Sequence, residues 1–254
     1  MSSTKWFKSM LSKNFLHMII NENVVVVNAD DGEIQTKKFK VDRPYKLFTI
    51  KEKVYVAFRL GLLEIKDLDF KLLHDLHLQN VRTLPSGDIV YIDSRLNSIC
   101  RLEESSSYVL WPCKDKIISM SFDDTEQCYA LCRDKSNIGY ITNTKTGEIL
   151  ITNLKNPQHL YTILNTCYLL CDNSWGYITQ GKYVPEVILP GNIQAFSYND
   201  GYITAILFDE ELKIWIYNIA DRTQRITLLN TIYDSATEVT DILLISRRRL
   251  KLKS

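Results

Sequence analysis

"CYALCRDKSNIGYIT" occupies residues 128–142, and "CYLLCDNSWGYIT" returns at 167–179, thirty-nine residues later. Each copy opens on an apolar run of the kind that suits a pleated surface, passes through a polar cluster, and closes on a second apolar run. That order reads as strand, turn, strand. The same phrase recurs as FLHMII–NEN–VVVVN, VYVAF–RLG–LLEIK, IVYID–SRLN–SICRLE, ITAILF–DEE–LKIWIYN and DILLIS–RRR–LKLKS. The first strands centre near Met18, Val56, Val90, Ala130, Leu169, Ala205 and Leu243, spaced by 38, 34, 40, 39, 36 and 38 residues. A third "GYIT", at 201–204, opens the second strand of its unit; it is out of phase and does not count as a copy.

A strand precedes each phrase: KWFKSML, YKLFTI, VRTLP, IISMSF, LYTIL, IQAFSY and TEV. A fourth follows in most units, as IQTKKFKV, KLLHDLHL, YVLWP, EILITNL, YVPEVIL and QRITLL. The chain is therefore expected to be all-β, built from antiparallel four-stranded meanders of about 37 residues each. One small sheet cannot cover both of its faces, whereas sheets arranged around an axis cover one another. The expectation is a seven-bladed β-propeller, a single domain over 1–254, with a six-bladed ring as the alternative. The seventh unit ends at LKLKS, after its third strand, so that either the last blade has three strands, the phase is off by one strand, or the chain is a fragment.

Turn chemistry agrees with hairpins. VVVVNADDGEI (24–34), TNTKTGEILIT (142–152) and YNIADRTQRITLL (217–229) each read as strand, turn, strand, and Asp31-Gly32 and Thr146-Gly147 place a glycine where positive φ is needed. The carboxylate pairs Asp30-Asp31, Asp123-Asp124 and Glu210-Glu211 all fall at such turns, where a turn role accounts for them.

With net charge +1, 45% hydrophobic and 24% charged residues, the chain carries no global field toward nucleic acid or anionic lipid. Lys5, Lys8, Lys13 and Asn14 interrupt any apolar leader, and no apolar run approaches the ~20 residues a membrane helix needs. Six cysteines, no Asn-x-Ser/Thr acceptor site and no export signal point to reduced thiols and an intracellular protein, cytoplasmic or nuclear.

Strand lengths and turn phrases such as NADDGE (28–33) and NTKTGE (143–148) resemble a diverged WD40-type propeller over nearly the whole chain. The Gly-His and Trp-Asp pairs of WD40 repeats are missing, with KIWIYNI (213–219) the nearest echo, so the resemblance reaches the superfamily and no family within it. It implies a role in protein assemblies.

Candidate chemistry is sparse. Cys128/Cys132 and Cys167/Cys171 form two C-x3-C pairs, but on a strand the members of a pair lie ~13 Å apart, beyond one tetrahedral zinc ion. They read as small buried hydrophobes. His74 and His77 face opposite ways on a strand, and no His-Cys, HExxH or Ser-His-Asp constellation is readable around these or His17 and His159, for which structural or surface roles are expected. No GxGxxG or GxxxxGK[ST] loop is present among nine glycines. The reading assigns no catalytic residue, metal or cofactor. Trp111, Trp175 and Tyr183 are the candidate protein-binding rings, near turns where aromatic hot spots form. Arg247, Arg248, Arg249, Lys251 and Lys253 are the candidate polyanion-binding arm, with an edge hairpin guarded by charge as the simpler reading; nucleic acid is not favoured as a partner. The expected function is a non-enzymatic interaction scaffold, a subunit of a larger assembly docking proteins by its rims and outer strands. A propeller hydrolase or lyase with a polar channel site is the alternative.

Overall fold

A computed structural model describes residues 14–28, 39–40, 43–50, 53–58, 61–64, 70–71, 78–84, 86–102, 106–199, 201–208, 211–228 and 239–246. Every regular element among them is a strand. In chain order they are β1 (Asn14–Ile20), β2 (Asn23–Asn28), β3 (Phe39–Lys40), β4 (Pro44–Ile50), β5 (Lys53–Phe58), β6 (Gly61–Glu64), β7 (Phe70–Lys71) and β8 (Leu78–Thr83). There follow β9 (Ile89–Asp93), β10 (Ser98–Leu102), β11 (Ser107–Pro112), β12 (Lys116–Phe122), β13 (Cys128–Arg133), β14 (Gly139–Asn143), β15 (Ile149–Leu154) and β16 (Pro157–Ile163). The last are β17 (Thr166–Cys171), β18 (Ser174–Thr179), β19 (Lys182–Ile188), β20 (Asn192–Asn199), β21 (Tyr202–Phe208), β22 (Leu212–Asn218), β23 (Thr223–Leu228) and β24 (Val239–Ser246).

These strands make six four-stranded antiparallel sheets: β24-β1-β2-β3, then β4 to β7, β8 to β11, β12 to β15, β16 to β19 and β20 to β23. The chain divides into two compact units, Met1–Leu47 with Gly191–Ser254, and Phe48–Pro190. Five sheets lie whole within one unit; β4 crosses the boundary, so its sheet is divided between them. The expected ring of seven blades, with six as its alternative, is thereby corrected to five complete blades and one divided sheet.

The seventh sequence unit fails for a physical reason. Val239 of TEV, read as part of a separate strand, lies with DILLIS in one eight-residue strand, β24; Thr237 and Glu238 fall outside the described residues. It pairs antiparallel with β1, from Asn14↔Ser246 to Ile20↔Val239, so it takes the innermost place in the first sheet. The strands KWFKSML and LKLKS fall outside the described residues, as do IQTKKFKV up to Phe39 and most of KLLHDLHL.

The repeated phrase does mark one place in two sheets of the second unit. Ala130 on β13 lies opposite Met120, and Leu169 on β17 lies opposite Leu160; both side chains are fully buried. Alternation along β13 splits its side chains between two cores. Cys128, Ala130 and Cys132 pack with Leu84, Val90, Ile92 and Ile99 of the preceding sheet, while Tyr129 and Leu131 pack with Leu160, Cys167, Leu169 and Cys171 of the next. In the first unit a third core joins Leu16, Met18, Ile242 and Leu244 to Ala195, Ile206 and Ile214. Each such side chain contributes roughly 1.5–3 kcal/mol of burial.

Polar side chains stitch neighbouring inner strands. Ser119 and Ser121 on β12 accept the Leu160 and Thr162 amides of β16 at 3.1 and 2.7 Å. Asn80 of β8 donates to Ser119 Oγ at 3.1 Å, and Thr83 Oγ1 donates to the Thr49 carbonyl of β4 at 2.7 Å. In the first unit, buried Asp241 of β24 accepts the Leu47 amide at 2.6 Å and Lys46 Nζ at 2.7 Å, while Asn199 of β20 donates to the Leu244 carbonyl at 2.7 Å. These bonds join strands that share no ladder.

Candidate protein-docking edge

The outer strand of the third sheet, β11, pairs only with β10 among the described residues. Its sequence, SYVLWP, contains no charge. Tyr108, Val109 and Leu110 are 39%, 46% and 43% exposed, three consecutive side chains on a strand where alternation would hide one in two. The cause is a bulge. Ile99 pairs with Trp111 and Cys100 with Val109, which leaves Leu110 without a partner across the ladder and turned outward. Trp111 is half-buried and packs on the core that holds Val90, Ile92 and Ile99, so it anchors the strand whose other residues face solvent.

Other outer strands are guarded. Strand β19 carries Lys182, Pro185 and Glu186, and β23 carries Arg225. Strand β15 loses register twice against β14 and holds Asn153 at positive φ, while the described residues of β3 and β7 each end in lysine. Strand β11 also has a bulge and ends in Pro112, but it carries no charge and sets apolar side chains beside its backbone donors and acceptors. An extended peptide can add to such an edge by main-chain hydrogen bonds.

The sequence candidates scatter. Trp111 lies on this edge. Trp175 is fully buried and stacks on Tyr168 at 5.5 Å with Tyr161 tilted against it at 5.7 Å, which corrects the reading of an exposed binding ring. Tyr183 is half-buried on β19; its hydroxyl donates to the Ser174 carbonyl at 2.7 Å, and burial pushes its pKa up to about 12. It serves as a strut within its sheet. Arg247, Arg248, Arg249, Lys251 and Lys253 lie outside the described residues, as do His74 and His77. His17 is buried on β1, and His159 is half-buried on β16. Among the described residues no three His, Cys, Asp or Glu side chains converge as a metal site, and no helix is long and apolar enough to cross a membrane.

YVLWP is legible in the sequence as a fourth strand, and Trp111 as its candidate contact. The available signal for the rest was charge: among the predicted fourth strands, this one lacks the lysine, arginine or glutamate that interrupts most of the others.

No protein-family model matches the chain, and no curated protein matches it in sequence. Solved structures do match in shape. A protein of unknown function from Bacteroides caccae is 11% identical with a TM-score of 0.60, over 93% of this chain and 100% of that one. Virginiamycin B lyase from Staphylococcus aureus is 16% identical with a TM-score of 0.52, over 83% and 78%. The Cps50 (Swd1) β-propeller domain from Myceliophteria thermophila is 9% identical with a TM-score of 0.50, over 81% and 80%. Identities this low carry the fold alone. The chain has an all-β propeller fold.

Proposed function

We propose that this protein is a non-enzymatic interaction module, an intracellular propeller subunit of a larger assembly, and that it takes up an extended, apolar segment of a partner protein along β11. The observation that carries the reading is the uncharged outer strand with Tyr108, Val109 and Leu110 exposed side by side. An edge strand without charge and with apolar side chains exposed is open to strand addition, which fits a docking role. Six cysteines without a disulfide fit a reducing compartment.

The test is affinity capture of the intact protein beside a Leu110→Lys variant. Leu110 is exposed and has no cross-strand partner, so the variant is expected to unfold within about 0.5 kcal/mol of the wild type. A partner recovered stoichiometrically with the wild type and lost with the variant supports the reading. Equal recovery by both overturns the assignment to β11, and recovery only of a second copy of this chain makes the edge a self-association surface.

A further inference from the structure

Cys113 and Cys132 meet between two sheets of the second unit. Cys132 is buried on β13, whereas Cys113 is half-buried in the short segment that joins β11 to β12. Their sulfurs stand 3.7 Å apart. Asn97 shapes that segment from the turn after β9: its carbonyl accepts the Cys113 amide at 3.2 Å, and its Nδ2 donates to the Cys113 and Asp115 carbonyls at 2.8 and 2.7 Å. Its Oδ1 accepts the Ile117 amide at 3.1 Å. Tyr140 closes the far side, its hydroxyl donating to Asp115 Oδ2 at 2.9 Å.

The two thiols differ in kind from the other cysteines. Burial pushes Cys128, Cys167 and Cys171 up to about 12, 11 and 12, which keeps them protonated and unreactive. The contact with the Cys132 thiol outweighs the opposing burial and, with the Asp115 amide, holds Cys113 below its ordinary value. The same contact, with burial, pushes Cys132 up. A half-buried sulfur whose ionisation its neighbour favours therefore sits 3.7 Å from a fully buried one.

We propose that Cys113 and Cys132 are a reversible redox pair, in which a peroxide oxidises Cys113 and Cys132 resolves it as an intramolecular disulfide. In the first step the Cys113 sulfur attacks one peroxide oxygen; the O–O bond breaks, Cys113 becomes a sulfenic acid and one water leaves. In the second step the Cys132 sulfur attacks the Cys113 sulfur, the S–O bond breaks, the Cys132 thiol proton joins the departing hydroxide, and a second water leaves. Two electrons pass from the thiols to the peroxide. Closing 3.7 Å to a bond of about 2.05 Å falls to Cys113, whose segment belongs to no strand. The inference does not depend on whether β11 docks a partner.

Reduced intact protein is treated with hydrogen peroxide, blocked with an alkylating agent, and mapped as peptides without reduction. The expected product is a Cys113–Cys132 linked peptide that disappears on treatment with dithiothreitol. In Cys132→Ser the sulfenic acid on Cys113 is expected to persist and react with dimedone. Because Cys132 is buried and its replacement can perturb folding, wild-type alkylation is measured as well: Cys113 is expected to react at least about tenfold faster at neutral pH than Cys128, Cys167 or Cys171. A wild-type protein that forms no such link, links other cysteines first, or alkylates Cys113 no faster than the buried thiols overturns the proposal.

Discussion

Gly176 carries the tightest approach in its sheet: a Cβ there would lie 2.1 Å from the Val184 carbonyl oxygen and 2.7 Å from Pro185 Cα. Both obstacles are backbone. Gly139 meets instead the Pro157 ring at 2.4 Å, with Leu154 atoms at 3.1 Å. Gly176→Ala is expected to cost more than Gly139→Ala, with about 1–3 kcal/mol or above for the former, read as a lower denaturant midpoint. Asp123 behaves as its place in a turn suggested, while Asp30, Asp31 and Glu210 lie outside the described residues. Asp123 Oδ1 accepts the Thr125 hydroxyl at 2.7 Å and the Thr125 and Gln127 amides at 2.9 Å each. Burial alone would raise its carboxyl pKa, but these donors and the Tyr129 hydroxyl hold it below its ordinary 3.8. A depressed carboxylate stabilises the fold fully above the unfolded value and loses that contribution as pH falls through the folded value. Asp123→Asn is therefore expected to lower stability at neutral pH by about 1–2 kcal/mol and to flatten the loss below about pH 4, as followed by denaturant melts across pH. Asp123 was legible as a turn residue because short acidic side chains bond nearby amides. The burial of Trp175 was not, since a tryptophan next to a turn can stack inward on Tyr168 as readily as it can point out.

At the scale of elements, period and alternation did most of the work. Strand β13 was legible because its apolar side chains alternate between two cores, and β17 because Cys167, Leu169 and Cys171 share one face. The second halves of the two phrases are another matter. Ala130 faces Thr142, but Leu169 faces Gly176, so the two GYIT segments stand three residues out of step on their ladders. The five-residue turn 134–138 against the two-residue turn 172–173 accounts for the shift. Matching letters there did not mean matching positions. The stitches between inner strands left no readable trace either, because Ser119 and Ser121 in IISMSF look like the polar half of an ordinary strand. Ser121→Ala is expected to leave the half-buried Thr162 amide without its 2.7 Å acceptor, at a cost of about 1 kcal/mol, with faster hydrogen exchange at Thr162 than at Leu160. Unchanged exchange at Thr162 would show that the stitch is incidental.

For the molecule as a whole, the decisive pairing is that of the last described strand with the first. The seventh phrase has the right spacing and composition, but residues far apart in sequence compete for one sheet position, and periodicity cannot register that competition. Val239, Ile242 and Leu244 bring their burial to the core shared with Leu16 and Met18. Asp241 adds its bonds to Lys46 and Leu47. Asp241→Ala removes a buried acceptor and strands a cation, so it is expected to cost about 3 kcal/mol in equilibrium unfolding. Amide hydrogen exchange, resolved by peptide, tests the pairing most directly. If β24 completes the first sheet, the peptide over 239–246 exchanges as slowly as that over 14–20, and Asp241→Ala speeds both together. A 239–246 peptide that exchanges at the rate of an unstructured chain while 14–20 stays protected would contradict it.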